Sequence, residues 1–133
     1  MKTYRWYYVS PHTNKCMVFR SSTSLPSLIK EALQCVNYKQ VIKDTHKKTI
    51  LETAPNRESR HQGIIKFNPP NGPFNWYYSS PLTNGLKLFS GYENIIYIAD
   101  ALNKALDYYI TEGNRQVFKD KDGSVVFDTD WLK

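Results

Sequence analysis

The sequence predicts an α+β fold made by tandem duplication of a ββαββ unit, the two copies packed as an intramolecular pseudo-twofold dimer. Three observations lead to this. The phrase RWYYVSPHTN at residues 5–14 returns as NWYYSSPLTN at residues 75–84, an offset of 70. The same offset lays one apolar stripe (Leu25, Leu28, Ile29, Ala32, Cys35, Val36) on a second (Ile95, Ile98, Ala99, Leu102, Ala105, Leu106), at the three- and four-residue spacing of an amphipathic helix. Beyond the stripe the offset becomes 76: KQVIKD at residues 39–44 matches RQVFKD at 115–120, and TILET at 49–53 matches VVFDT at 125–129. The six extra residues of the second copy fall within 107–114, where a longer helix or connection absorbs them.

Each copy reads as strand, turn, strand, helix, strand, turn, strand. Residues 4–10 are rich in aromatic and β-branched side chains, which suit a pleated surface. Residues 11–15 turn the chain, because Pro fixes φ while Thr and Asn bond their own backbone. Residues 16–20 return. Ser24 is the expected N-cap of the first helix, with Pro26 tolerated in its first turn, and Asn94 takes the cap role in the second copy. The closing hairpins turn at residues 45–48 and 120–123. Four short strands and one helix leave a sheet face uncovered, so the copies are expected to pair. The domains expected are a basic first repeat over 1–53, a basic linker with Pro, Asn and Gly over 54–73, and a slightly acidic second repeat over 74–133. Within the linker, residues 64–67 suit a short additional strand.

Composition narrows the class. The chain has 133 residues, 41% of them hydrophobic and 14% aromatic. That supports a core and argues against disorder. No apolar run approaches the ~18 residues of a membrane span, and no secretory leader pattern opens the sequence. A cytoplasmic or nuclear protein without membrane association is expected. Cys16 and Cys35 lack metal-type spacing and are too few for a disulfide framework.

Charge carries the functional signal. The net charge is +6, but residues 1–70 hold 12 Lys or Arg against 4 Asp or Glu, a net of +8, while residues 71–133 hold 6 against 8, a net of −2. Such asymmetry points to a polyanion surface on one half. In the repeat alignment Lys15, Arg20, Lys47 and Lys48 stand where the second copy has Gly85, Ser90, Gly123 and Ser124, whereas Lys39 and Lys43 match Arg115 and Lys119. Turn lysines suit phosphate contacts. Arg57, Arg60, His61 and Lys66 extend the positive run through the linker.

The Trp-Tyr-Tyr strand alternates, with Trp6 and Tyr8 on one face and Arg5, Tyr7 and Val9 on the other. One face packs on the helix. Exposed members of Tyr4, Trp6, Tyr7 and Tyr8 would stack on bases.

Signals for catalysis are weak. His12 and His46 become Leu82 and Asp122 in the second copy, so the fold needs neither. His12 with Cys16 supplies only two metal ligands. DKDG at 120–123 lacks the remaining ligands of a calcium loop and suits a hairpin turn. Asp128 and Asp130 lack the further partners of a nuclease metal site. No phosphate-cradling glycine loop or nucleophile elbow occurs. The sequence therefore predicts a small non-enzymatic nucleic-acid-binding protein without metal or cofactor. Its phosphate contacts would come from Lys15, Arg20, Lys39, Lys43, Lys47, Lys48, Arg57 and Arg60, with Tyr7 among the stacking residues. The ligand is DNA or RNA and the protein a monomer or homodimer. The alternative is an interaction adaptor or inhibitor docking on an acidic protein, since tyrosine-rich surfaces also make interface hot spots.

Overall fold

The computed structural model divides into two compact units, Met1–Asn68 and Pro69–Lys133. The structure describes residues 3–10, 12–13, 15–35, 38–55, 62–82 and 85–133, and of Cys16 the backbone only. The chain is α+β, and its described residues form two antiparallel sheets and two α-helices.

The first unit contains β1 (Tyr4–Val9), β2 (Cys16–Ser22), α1 (Leu25–Gln34), β3 (Lys39–Lys43), β4 (Thr49–Ala54) and β5 (Gly63–Phe67). Its five strands lie in the order β2-β1-β3-β4-β5. β5 falls inside the stretch read from sequence as a linker and pairs with β4, Leu51 facing Phe67 and Glu52 facing Lys66. Cross-strand partners share a sheet face. The row Trp6, Ile42, Leu51, Phe67 is therefore one stripe of the core, and each member is at most 2% exposed. Leu28, Ile29, Ala32 and Leu33 of α1 are buried with it. Fully burying such side chains contributes about 1.5–3 kcal/mol each. Ser24 is the N-cap position of α1, as its place before Leu25-Pro26 suggests, but its hydroxyl bonds Ser27 Oγ at 3.1 Å rather than a helix N–H.

The second unit contains β6 (Asn75–Ser79), β7 (Lys87–Leu88), α2 (Ala99–Glu112), β8 (Arg115–Lys119), β9 (Val125–Asp128) and a 3-10 helix, Thr129–Leu132. Its strands lie in the order β7-β6-β8-β9. The expectation that Asn94 caps the second helix is corrected. Asn94 sits at φ 58°, and α2 starts five residues later behind Ile98. Ile95, the first member of the expected stripe, instead exchanges backbone hydrogen bonds of 2.7 Å with Phe74 in an isolated bridge. The spacing 95, 98, 99, 102 fits a helix, but the backbone of Ile95 is better satisfied by a neighbouring extended segment. α2 has 14 residues against 10 in α1. It stops at Gly113, whose φ of 73° is the left-handed C-terminal cap that glycine adopts without strain.

Among the described residues no helix is long and apolar enough to cross a membrane.

Candidate nucleic-acid interface

The strand pairings decide which charges meet. β1 and β3 align Arg5 with Lys43, Trp6 with Ile42, Tyr7 with Val41, Tyr8 with Gln40 and Val9 with Lys39. Trp6 belongs to the buried row, so Arg5, Tyr7, Val9, Lys39, Val41 and Lys43 share the opposite face, on which Val41 is itself buried. The contact of Lys43 with Tyr7 agrees, its Nζ standing 5.6 Å from the ring centroid. Arg5 and Lys43 are thus two cations directly opposite one another, about 4.5–5.5 Å apart at their Cα atoms. Like charges so placed are destabilising by themselves.

The β3–β4 turn extends this end of the face. Asp44 Oδ1 accepts the backbone N–H groups of His46 and Lys48, each at 2.9 Å. The Asp44 N–H donates to Lys48 O at 3.0 Å. The turn is closed with Lys47 and Lys48 exposed at its tip. Lys47 has φ 63°, a left-handed backbone that costs a side-chain-bearing residue about 1–2 kcal/mol. The carboxylate of this turn, Asp44, is engaged with the turn's own backbone. Among the described residues Arg5, Lys43, Lys47 and Lys48 form no ion pair.

The other cations singled out from the sequence are placed differently. Lys39 lies on the same face but reaches Glu52 Oε1 at 3.0 Å, and Lys66 is the register partner of Glu52. Lys15 stands beyond the far end of β1, where its carbonyl accepts the N–H of Ser10. That separates it from the Lys47–Lys48 turn by the length of β1, about 15–20 Å. Arg20 is the register partner of Trp6, on the helix side, where its Nη1 holds Glu31 Oε1 of α1 at 2.8 Å. Arg57 and Arg60 lie outside the described residues, as does His61.

The aromatic residues are similarly sorted. Trp6 is 2% exposed, and its Nε1–H is used by Gln40. Tyr7 is half-buried on the cationic face. Tyr8 packs against Phe19 and Tyr38 at centroid distances of 5.8 and 5.9 Å, and Phe19 against Trp6 at 4.4 Å, which puts this cluster on the helix side.

The second unit offers a comparison. Lys119 Nζ stands 4.9 Å from the Tyr77 ring centroid, and Asn75 is the partner of Lys119. Arg115 is clamped by Asp128 at 3.1 and 2.6 Å and meets Asp130 at 3.1 Å. Its hydrogen bond to Asp128 holds the guanidinium above the ordinary arginine pKa. The β8–β9 turn repeats the Asp44 geometry around Asp120 Oδ1, which accepts Asp122 and Ser124 N–H at 2.9 Å each, with Gly123 at φ 85°. This turn has no lysine at the equivalents of Lys47 and Lys48.

Arg5 is not among the sequence candidates because its place opposite Lys43 depends on pairing with a strand 38 positions away. The one local hint was its period-two spacing from Tyr7. Among the described residues no three or more His, Cys, Asp or Glu side chains gather as a metal site. No protein-family model matches the chain, and no curated protein or solved structure matches it significantly.

Proposed function

We propose that the protein is a small non-enzymatic nucleic-acid-binding protein whose first unit grips phosphates. The observation that carries this reading is the opposed pair Arg5 and Lys43, extended by Lys47 and Lys48 and left without a paired carboxylate among the described residues. A like-charge cross-strand pair weakens the free protein. An anion seated between the two side chains relieves that repulsion, so part of the binding free energy comes from the strain removed. Phosphate contacts of this kind release counterions and position a nucleic acid without reading its sequence.

The unit itself we read as one copy of a duplicated ββαββ module. Matching registers in β1–β3 and β6–β8 support this, as does the shared displacement in β3–β4 and β8–β9, after Ile42 and after Phe118. So do the matching indole–amide bonds of Trp6 with Gln40 and Trp76 with Gln116. On this reading Arg5, Lys47 and Lys48 distinguish the copies functionally, because Asn75, Gly123 and Ser124 fill their places on an otherwise equivalent frame.

Retention on immobilised DNA and RNA tests the proposal. The wild type is expected to bind at low salt, and the triple change Arg5→Gln, Lys47→Gln, Lys48→Gln to lose most of that affinity while unfolding at an unchanged or higher denaturant concentration. Equal retention of both proteins contradicts it.

A further inference from the structure

We infer that this face holds the phosphates of a nucleic-acid strand while the bases are left unstacked, an inference that rests on the nucleic-acid reading above. On the cationic face the Tyr7 ring is already engaged by one of the cations. Tyr7, the tyrosine on the cationic face, already has the Lys43 ammonium 5.6 Å from its ring centroid. A base stacking on that ring side must displace the ammonium and forfeit its cation–π contact. Trp6 is buried with its N–H engaged. The rings that are open, Phe19 at 59% and Tyr38 at 42% exposure, belong to the helix side. A strand lying along Arg5, Lys43 and the Lys47–Lys48 turn therefore meets ammonium and guanidinium groups and a half-buried Tyr7 ring that Lys43 already engages.

The second unit carries the same Lys-over-Tyr arrangement at Lys119 and Tyr77. It recurs where the neighbouring Arg5 and turn lysines do not, so the capping of the ring belongs to the shared frame. In the first unit it holds the Lys43 ammonium over Tyr7, on the face that Lys43 shares with Arg5.

The test compares two labelled single-stranded oligonucleotides of equal length and charge, one thymidine-bearing and one abasic, by fluorescence anisotropy with the wild-type protein. Stacking raises affinity about five- to 150-fold per base. The inference predicts dissociation constants that agree within about threefold, and no change in either on Tyr38→Ser. An abasic strand bound more than about threefold more weakly overturns the inference and leaves the nucleic-acid reading standing, as does a clear loss of affinity in Tyr38→Ser. Binding to neither strand at low salt overturns the inference, and only absence of retention on both immobilised DNA and RNA overturns the nucleic-acid reading itself.

Discussion

The indole Nε1–H of Trp6 donates to Gln40 Oε1 at 2.6 Å, joining neighbouring strands in the core of the first unit. Gln40 passes the connection on. Its backbone N–H donates to Thr53 Oγ1 at 3.1 Å and its Nε2 to Tyr38 O at 2.8 Å, while the Thr53 hydroxyl donates to Gln62 Oε1. In the second unit Trp76, Gln116 and Thr129 make the same bonds at 2.7 and 3.0 Å, with Asn114 O as the carbonyl acceptor. A buried polar group left without its partner costs about 1–3 kcal/mol. Gln40→Leu orphans the Trp6 N–H and is expected to destabilise by about that amount, as is Gln116→Leu in its own unit. Urea denaturation followed by tryptophan fluorescence checks both. A loss below about 0.5 kcal/mol would mean the amide is dispensable.

Lys47 and Gly123 occupy equivalent turn positions at φ 63° and 85°. Glycine reaches this region without a Cβ clash, though it loses more backbone entropy on folding. Lys47→Gly is therefore expected to stabilise the protein by about 0.5–1 kcal/mol while weakening nucleic-acid retention. Gly123→Lys is expected to destabilise by a similar amount. Denaturant midpoints measured beside binding reveal whether the lysine is kept at the expense of stability.

Arg5→Glu places a carboxylate opposite Lys43. Exchanging a repulsive cross-strand pair for an attractive one is expected to raise stability by about 0.5–1 kcal/mol and to cut nucleic-acid affinity. The two readouts move in opposite directions, which a purely structural role for Arg5 would not produce. Asn75→Glu, facing Lys119 in the second unit, is the control: it stabilises without affecting binding.

Burial, and after it the Glu31 carboxylate, raises the pKa of the Cys35 thiol above its ordinary value. The thiolate is the reactive form. In a Cys16→Ser background, alkylation of Cys35 at pH 8 is expected to run slower than that of an unfolded reference thiol, and Glu31→Gln is expected to speed it up. The sign for stability follows. A folded-state pKa above the unfolded one favours the fold below the unfolded value, and that contribution is lost as pH rises through the folded value. Wild type should therefore lose stability on the alkaline side faster than Cys35→Ala.

Local pattern revealed much of this fold. The repeated WYY phrase located β1 and β6, the RQVFKD and KQVIKD pair located β3 and β8, and the apolar stripe located α1. What local pattern lacks is register. Arg5 meets Lys43, Lys39 meets Glu52 and Arg20 meets Glu31 only after strands and helix pack. Two of the candidate cations were thus neutralised by carboxylates that sequence spacing does not connect to them. The start of α2 is not legible in the sequence because Ile95 keeps a helical spacing while its backbone pairs with Phe74. Turn chemistry was more transparent. Asp at the head of each β-hairpin turn, Asp44 and Asp120, bonds the backbone two and four residues on, a bond set by the short side chain itself.

The salt dependence of nucleic-acid affinity tests the central claim most directly. With Arg5, Lys43, Lys47 and Lys48 each neutralising a phosphate, log K should fall linearly with log salt, at a slope of about −3 on a single strand. The slope should shrink by about 0.7 for Arg5→Gln and by about 1.4 for the Lys47→Gln, Lys48→Gln pair. Affinity that does not change with salt, or a slope that these substitutions leave unchanged, contradicts a phosphate grip on this face.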